Sequence, residues 1–534
     1  MLARVKALFR SLAIYGFGDV ATSLVSFLLL PVYTRYLTAE DYGIIAMLLT
    51  VEAVAKILFR FGVDTAFMRL YYDCADPQAR QRLASTIFFF LLAINGAVLL
   101  AAVAASGWLS AQLFDTNRYW LLVALALGNT FVGGFYFIPL QVLRITERSG
   151  QFISLVFARS AGTLVARLVL VIGAGMGVIG VIVADVVVTA VFTLVLVPWF
   201  APLIRPVFSP ALLRQALGFG LPRIPHSLAH QVMGLADRYF LNAFGTLRDV
   251  GLYSIGATFG LALKLFLSAF EYAWTPFFLG VMKEPDAKRI YSTVSTYVIA
   301  ALVLLTAGFC AVGPDLVRLM TAEEFHPSGA VTPWIALGVM CQGVYLVGSI
   351  GLIITRKTSR YPLATGIAAA TNLAANAVLI PRFGLIGAAW ANAVSYATLA
   401  AFTVWLSWRE FPIPYEWRRL AAVAAAGIGA YLAAEFAIGS SAGPLVSAVA
   451  RGVVVVGTYL GILLATGFLH AGEFRVLNDM RRRALRGRTP PPPADQGGPV
   501  EMAGEIVATT HELNSHNSAP GTRKTGDSRQ GAGD

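Results

Sequence analysis

The chain is 534 residues long, 57% hydrophobic and only 13% charged, with a formal net charge of +12. Soluble domains carry about 25% charged residues, so this composition excludes a water-coated globular protein. The apolar residues fall instead in blocks of about 20, each long enough to cross a bilayer core of roughly 30 Å as a helix, while the ten-residue alternation of a membrane barrel is absent.

About fourteen spans are predicted in chain order, over 12–34, 42–62, 84–108, 119–143, 152–174, 177–200, 213–243, 250–278, 290–312, 331–355, 361–381, 384–407, 418–438 and 445–469. The first follows Arg4, Lys6 and Arg10 but is too long for a signal peptide and lacks a small-residue cleavage site, so it reads as a retained span. Successive loops alternate in charge. Arg69, Arg80 and Arg82, then Arg144 and Arg148, Arg205 and Arg214, Lys283, Lys288 and Arg289, and Arg356, Lys357 and Arg360 mark one side. The other side has about one basic residue per loop, often beside acids such as Asp41, Asp115 or Glu323. The positive-inside rule therefore places both termini in the cytoplasm and makes the basic excess a topology signal, with no nucleic-acid partner implied.

Charges inside the spans are the chemical content of the sequence. Asp19, Glu52, Lys56, Arg159, Arg167, Asp185, Lys264 and Glu271 would together cost roughly 24 kcal/mol facing lipid, more than a typical domain stability of about 5–15 kcal/mol. They must pair, snorkel or line a hydrated cavity. Glu52, Lys56 and Arg60 share one helix face at i, i+4 and i+8, which allows a Glu52–Lys56 ion pair with Arg60 reaching the surface, or a cavity lining. Arg159 sits near a span end and snorkels, Arg167 is deeper, and Asp185 caps or pairs locally. Lys264 and Glu271, seven apart, also share a face.

Span seven contains Pro222 and Pro225, which remove two backbone donors and predict a kinked, hinge-like segment. His226 and His230 lie at i and i+4; a metal site, a headgroup-binding pair and plain packing all fit that spacing, but neither an HExxH glutamate nor a third ligand is evident. Cys74, Cys310 and Cys341 lack paired spacing and read as apolar fillers. From 473 onward an arginine cluster, a proline run and polar low-complexity sequence predict a disordered cytoplasmic tail.

An internal repeat organises the chain. Gly16-Phe17-Gly18 recurs as Gly218-Phe219-Gly220, Asp41-Tyr42-Gly43 as Asp249-Val250-Gly251, and Gly177-Val178-Ile179-Gly180 as Gly384-Leu385-Ile386-Gly387, at offsets of 202, 208 and 207. An even number of spans per repeat makes the halves parallel about an axis along the membrane normal. The expected fold class is thus an all-α polytopic membrane protein, with a six-helix lobe over 1–208, a second over 209–410, two further helices over 411–472 and the tail over 473–534.

There is no Gly-Lys phosphate loop, no Asp-x-Asp motif and no long outward loop, so transport outranks catalysis and no cofactor is expected. The sequence resembles the oligosaccharide flippases and polysaccharide biosynthesis proteins of the multidrug, oligosaccharidyl-lipid and polysaccharide exporter superfamily. The resemblance covers about residues 8–470 and rests on Leu221-Pro222-Arg223-Ile224-Pro225-His226, Asp237-Arg238-Tyr239, Val250-Gly251-Leu252-Tyr253-Ser254, Ala273-Trp274-Thr275-Pro276-Phe277, Pro381-Arg382-Phe383-Gly384 and, in the first half, Tyr33-Thr34-Arg35-Tyr36-Leu37 and Gly62-Val63-Asp64-Thr65-Ala66.

That resemblance implies a V-shaped pair of lobes moving undecaprenyl-pyrophosphate-linked oligosaccharide across a bacterial inner membrane by alternating access, for O-antigen, capsule or exopolysaccharide synthesis. It implies substrate contact by Lys56, Arg60, Arg167, Arg223, His226 and Lys264, and ion coupling or counter-charge at Asp19, Glu52 and Glu271, with a proton or sodium gradient as drive. Membrane lipids, a glycan polymerase and chain-length proteins are the implied partners. A peptidoglycan-precursor flippase and a cation-coupled drug antiporter are the alternatives; a membrane glycan polymerase or ligase would need the long outward loop that is missing.

Overall fold

The computed structural model describes residues 27, 29–74, 76–146, 148–357, 360–437 and 443–468. Most of the first predicted span, with Asp19, and the whole tail lie outside the described residues. Within them the protein is helical without a strand, as expected. The main helices are α1 (Ala39–Arg60), α2 (Val63–Asp73), α3 (Pro77–Ala104), α4 (Trp120–Gly133), α5 (Phe137–Ile145), α6 (Ser149–Arg167), α7 (Gly177–Phe200) and α8 (Pro210–Gly220). They are followed by α9 (Ile224–Phe244), α10 (Leu247–Leu261), α11 (Leu263–Val281), α12 (Ala287–Met320), α13 (Thr332–Gly348), α14 (Tyr361–Glu410), α15 (Trp417–Ala437) and α16 (Pro444–Ala465).

Ten helices among the described residues are long and apolar enough to cross a membrane, or eleven when α10 and α11, bent by 45° at their junction, count as one. One of the ten is α14, whose fifty residues would run about 75 Å if straight, over twice the apolar core of a bilayer. Its backbone breaks at Gly384 (φ 52°, ψ −126°), close behind Pro381, at the gap between the predicted spans 361–381 and 384–407. The left-handed φ is open to glycine without steric cost.

The starts of α1 and α10 are built alike. Thr38 and Asp41 form a reciprocal capping box on α1, and Thr246 and Asp249 form the same box on α10. In each, the threonine hydroxyl accepts from the aspartate backbone N–H at 3.2 Å while the aspartate accepts from the threonine N–H at 3.0 Å, satisfying two orphan donors and placing an acid on the positive end of the helix. The two helices then cross in reciprocal contact. A Cβ on Gly43 would lie 1.9 Å from the Leu247 carbonyl oxygen, and one on Gly251 would lie 1.8 Å from that of Ala39, so each crossing point admits glycine alone. Around it Met47, Leu48, Val123, Val250, Tyr253, Ile335 and Ala388 form a buried cluster that joins helices of both sequence halves.

Span seven is divided, as its prolines predict. A 3₁₀ turn over Leu221–Arg223 separates α8 from α9. Helix α8, although C-terminal to residue 208, buries Ala216 among Val63, Phe67, Leu83 and Phe137 of the first half. The strand of chain before it is tied to α3 as well: the Arg205 N–H donates to Ser85 Oγ at 2.8 Å and the Ser209 N–H to Thr86 Oγ1 at 3.0 Å. Helix α9 instead packs Met233 against Leu352, Ala364, Ala368 and Tyr396 of the second half. Helix α9 also reaches back, with Leu241 in the cluster of Met47 and Val123 and Asn242 Nδ2 donating to the Leu113 carbonyl at 2.7 Å.

Helices α15 and α16 are fastened to α12 at two levels. Asp315 accepts from Ser447 Oγ at 2.9 Å and faces Arg451 Nε at 3.6 Å, and Arg419 donates to Glu416 at 2.9 Å and to Tyr297 at 3.1 Å.

Candidate functional site

Two connected chambers lie against α1. The first, of about 420 Å³, sits between the halves: α1 and α2 contribute Lys56, Arg60, Asp64 and Thr65, and α9 contributes Ile224, Ser227 and Gln231. The second, of about 480 Å³, extends into the first half, where Glu52, Asn129, Gln141, Arg144 and Arg159 join Lys56 and Arg60. Ala53, Lys56 and Arg60 line both, so α1 forms the shared wall. Volumes of this size suit small-molecule or headgroup ligands, which occupy roughly 300–1,000 Å³.

The i, i+4, i+8 spacing accounts for the clustering of Glu52, Lys56 and Arg60 on this wall. The Glu52–Lys56 ion pair allowed by that spacing is not formed. Lys56 has two cations, Arg60 and Arg159, and two acids, Glu52 and Asp64, as its charged neighbours. Arg60 bridges Asp64 at 3.4 Å, stacks 5.9 Å from the Phe137 ring and keeps its buried Nε without an acceptor.

Arg167 is engaged within the first half. Its Nε and Nη2 donate to the two oxygens of Asp185 at 2.9 and 2.6 Å, a two-pronged pair of the strongest hydrogen-bonded kind. Directly after it α6 passes into a π-helical stretch, Leu168–Gly173, the type of local distortion that recurs at functional positions. The local pairing expected for Asp185 is thus present, and Arg167 points at that carboxylate; neither residue is in the lining of the two chambers.

The second-half residues do not converge on the same walls. His226 Nδ1 lies 3.0 Å from Thr365 Oγ1, and His230 has His226 and Lys264 as its charged neighbours. Lys264 and Glu271 lie exposed on α11. None of His226, Lys264 and Glu271 is in the lining of either chamber. No cluster of three or more metal-ligating side chains occurs among the described residues. The Arg223 side chain lies outside the described residues.

Two features escaped sequence reasoning. The first is that Arg144 and Arg159, expected as a loop charge and a snorkelling charge, both line the second chamber while staying exposed. The second is Asp237, fully buried in the second half, which accepts from Tyr253 Oη at 2.5 Å and from Asn376, Asn392 and Asn372 at 2.8, 3.3 and 3.4 Å. Every one of these donors is neutral, and Arg238, whose guanidinium lies 5.9 Å from the Tyr253 ring, is the charged neighbour of this carboxylate. The signal available in sequence was Asp237 within span seven and the i, i+4 pair Asn372 and Asn376, which a search for charges passes over.

Helices long enough to cross a membrane thus surround a cation-lined chamber walled by α1, α2 and α9, the class of a polytopic membrane protein with a charged cleft. The chain matches the family described as polysaccharide biosynthesis protein over residues 32–330, and it belongs to that family. It is 23% identical over 294 residues to Lsg locus putative protein 1 of Haemophilus influenzae, covering 52% of this chain and 67% of that one. It is 22% identical over 379 residues to the probable low-salt glycan biosynthesis flippase Agl15 of Haloferax volcanii, covering 70% and 78%. In fold it is similar to the lipid II flippase MurJ in an inward closed conformation, with a TM-score of 0.63 and 13% identity over 87% of this chain and 99% of that one. It is also similar to an inward-facing multidrug resistance MATE family transporter, with a TM-score of 0.58 and 13% identity over 75% and 95%.

Proposed function

We propose that this protein carries undecaprenyl-pyrophosphate-linked oligosaccharide units from the cytoplasmic to the outer leaflet of a bacterial inner membrane, for O-antigen, capsule or exopolysaccharide synthesis. The observation that carries the reading is the chamber between the halves, where Lys56 and Arg60 face Ser227 and Gln231. A pyrophosphate and its glycan cannot cross hydrocarbon unaided, and cations paired with neutral hydrogen-bonding groups replace the water they lose while the lipid tail stays in the bilayer. With both termini cytoplasmic, the α1 end bearing Arg60 faces the cytoplasm and the Gly43–Gly251 crossing faces outward.

The reciprocal glycine crossing and the α8 docking support alternating access, in which one contact opens while the other holds. Asp237 supports coupling to a proton or sodium gradient, and Glu52 and Glu271 remain proposed counter-charges, as do Lys264, His226 and Arg223 on the substrate side. Arg167 acts in this scheme through its pair with Asp185. A glycan polymerase and chain-length proteins are the proposed partners downstream.

The test is transport of a fluorescent undecaprenyl-pyrophosphate oligosaccharide in proteoliposomes, read by accessibility of the glycan to an external lectin, alongside rescue of a strain lacking its own flippase. Loss of both signals with Lys56→Ala, at normal protein levels, is expected. Full rescue and transport by that variant would overturn the assignment of the chamber.

A further inference from the structure

We propose that the turn joining α14 to α15 is a docking surface for anionic phospholipid, with Trp405, Trp408 and Trp417 seated among the headgroups and Arg409, Arg418 and Lys288 holding the phosphates. The inference is separate from the cargo and goes beyond the transport reading.

Three of the nine tryptophans of the chain fall between residues 405 and 417, at the end of the predicted span 384–407 and the start of the span 418–438. All three are exposed, from 42% at Trp405 to 66% at Trp417. A tryptophan at a span end lies at headgroup depth, its ring in the apolar phase and its N–H near lipid acceptors. Trp405, Trp408 and Arg409 stand at i, i+3 and i+4 and so share one face of α14. The Arg409 guanidinium lies 4.1 Å from the Trp405 ring, a contact that holds the cation on that face.

The turn has cations to spare. Its two carboxylates, Glu410 and Glu416, are already engaged: Glu410 bridges Lys357 and Arg360, and Glu416 accepts from Arg419 at 2.9 Å and from Thr293 Oγ1 at 3.3 Å. Arg409 and Arg418 are exposed and form no ion pair among the described residues. Lys288, exposed at the start of α12, brings a third cation to the same turn, its Nζ 4.7 Å from the Phe411 ring. Glu284 and Asp286, the acids nearest Lys288 in sequence, form no bridge with it. Cations without a protein partner, set between tryptophans at headgroup depth, match a phosphodiester whose lipid carries no cation of its own.

The surface is also fixed in place. Ile413 is buried among Trp274, Phe278 and Tyr291, and Ser292 Oγ donates to the Pro414 carbonyl at 2.6 Å. Pro412 and Pro414 restrict the backbone on either side of Ile413. A lipid held here is tied to the core of the second half and sets how deeply that half sits in the bilayer.

The experiment uses the full chain in phosphatidylcholine vesicles containing phosphatidylglycerol, with one lipid at a time brominated near the headgroup end of an acyl chain so that it quenches the tryptophans it touches. The signal of this surface is the difference between wild type and the triple variant Trp405→Phe, Trp408→Phe and Trp417→Phe. For that signal, brominated phosphatidylglycerol is expected to compete at least about fivefold better than brominated phosphatidylcholine. The double variant Arg409→Gln with Arg418→Gln should bring the ratio close to one, whereas Arg409→Lys, which keeps the charge, should leave a clear preference. Raising salt from about 0.05 to about 0.5 M should lower the wild-type ratio, which tests the same point if the double variant fails to fold. Equal quenching of the wild type by both lipids, or an unchanged ratio in the double variant, overturns the proposal. Tryptophans quenched by neither lipid would show a face covered by protein and overturn it as well. No cargo enters the measurement, so its result stands apart from that of the transport assay.

Discussion

Gly62 and Gly220 meet backbone to backbone where α2 of the first half begins and α8 ends. A Cβ on Gly62 would lie 2.3 Å from the Gly220 carbonyl oxygen, and one on Gly220 would lie 2.7 Å from that of Phe61. Gly62 also takes a left-handed φ of 68°. The contact adjoins the chamber between the halves, whose lining includes Gly62, and next to it Arg69 stacks 4.9 Å from the Phe219 ring. It is the counterpart, at the other end of α1, of the Gly43–Gly251 crossing.

Adding a methyl group at Gly220 forces this contact apart, because the obstructing atoms are backbone and cannot rotate away. Gly220→Ala is expected to open the chamber at this end and slow transport at least fivefold. In a Ser227→Cys background, cysteine labelling by a membrane-impermeant maleimide from the α1 C-terminal side should rise several-fold. An unchanged labelling rate would show that the glycine contact is not a closure.

The opposite change should follow from the crossing at the other end. Gly251→Ala would put a methyl carbon 1.8 Å from the Ala39 carbonyl oxygen, so α1 and α10 must separate. Labelling of the same cysteine from the other face of the membrane is then expected to increase, with thermal stability in detergent falling. Variants at Gly43 and Gly251 break one contact and should combine non-additively.

For the pair of Arg167 and Asp185, Arg167→Gln leaves Asp185 without its partner at a site where the arginine side chain is 31% and the aspartate 15% exposed. Removing one member of a fully buried pair costs about 3–5 kcal/mol; allowing for this partial exposure, a loss of roughly 2–3 kcal/mol is expected. The double variant Arg167→Leu with Asp185→Leu should recover most of the loss. Thermal unfolding in detergent by intrinsic fluorescence checks both, and a double variant no better than the single one would mean that the pair does more than neutralise charge.

Asp237→Asn keeps the shape of a side chain surrounded by Tyr253, Asn372, Asn376 and Asn392 but removes its charge. The protein should fold and bind cargo while transport loses its dependence on the imposed proton or sodium gradient. Gradient-driven uptake compared with exchange at zero gradient separates the two, and an undiminished gradient response in the variant would remove Asp237 from coupling.

Much of the architecture was readable before any coordinates. Membrane residence, the helical class and the break in span seven follow from properties local to the chain: apolar length set by bilayer thickness, and prolines that lack a backbone donor. The clustering of Glu52, Lys56 and Arg60 is likewise a property of helical spacing along one segment. By contrast, that Arg159, more than a hundred residues away, is a charged neighbour of Lys56, and that Arg167 is partnered by Asp185, no local pattern encodes. Arg144 and Arg159 look like a loop charge and a span-end charge until α5 and α6 place them in the lining of a chamber that α1 also walls. Asp237 looks like a motif residue until three asparagines and a tyrosine from two other helices, α10 and α14, close over it. Sequence alone determined that costly polar groups had to be shielded from lipid, because the bilayer penalises each residue where it stands. Tertiary structure alone decided which of them pair and which line a chamber, because pairing is a matter of distance between segments and no local pattern encodes it.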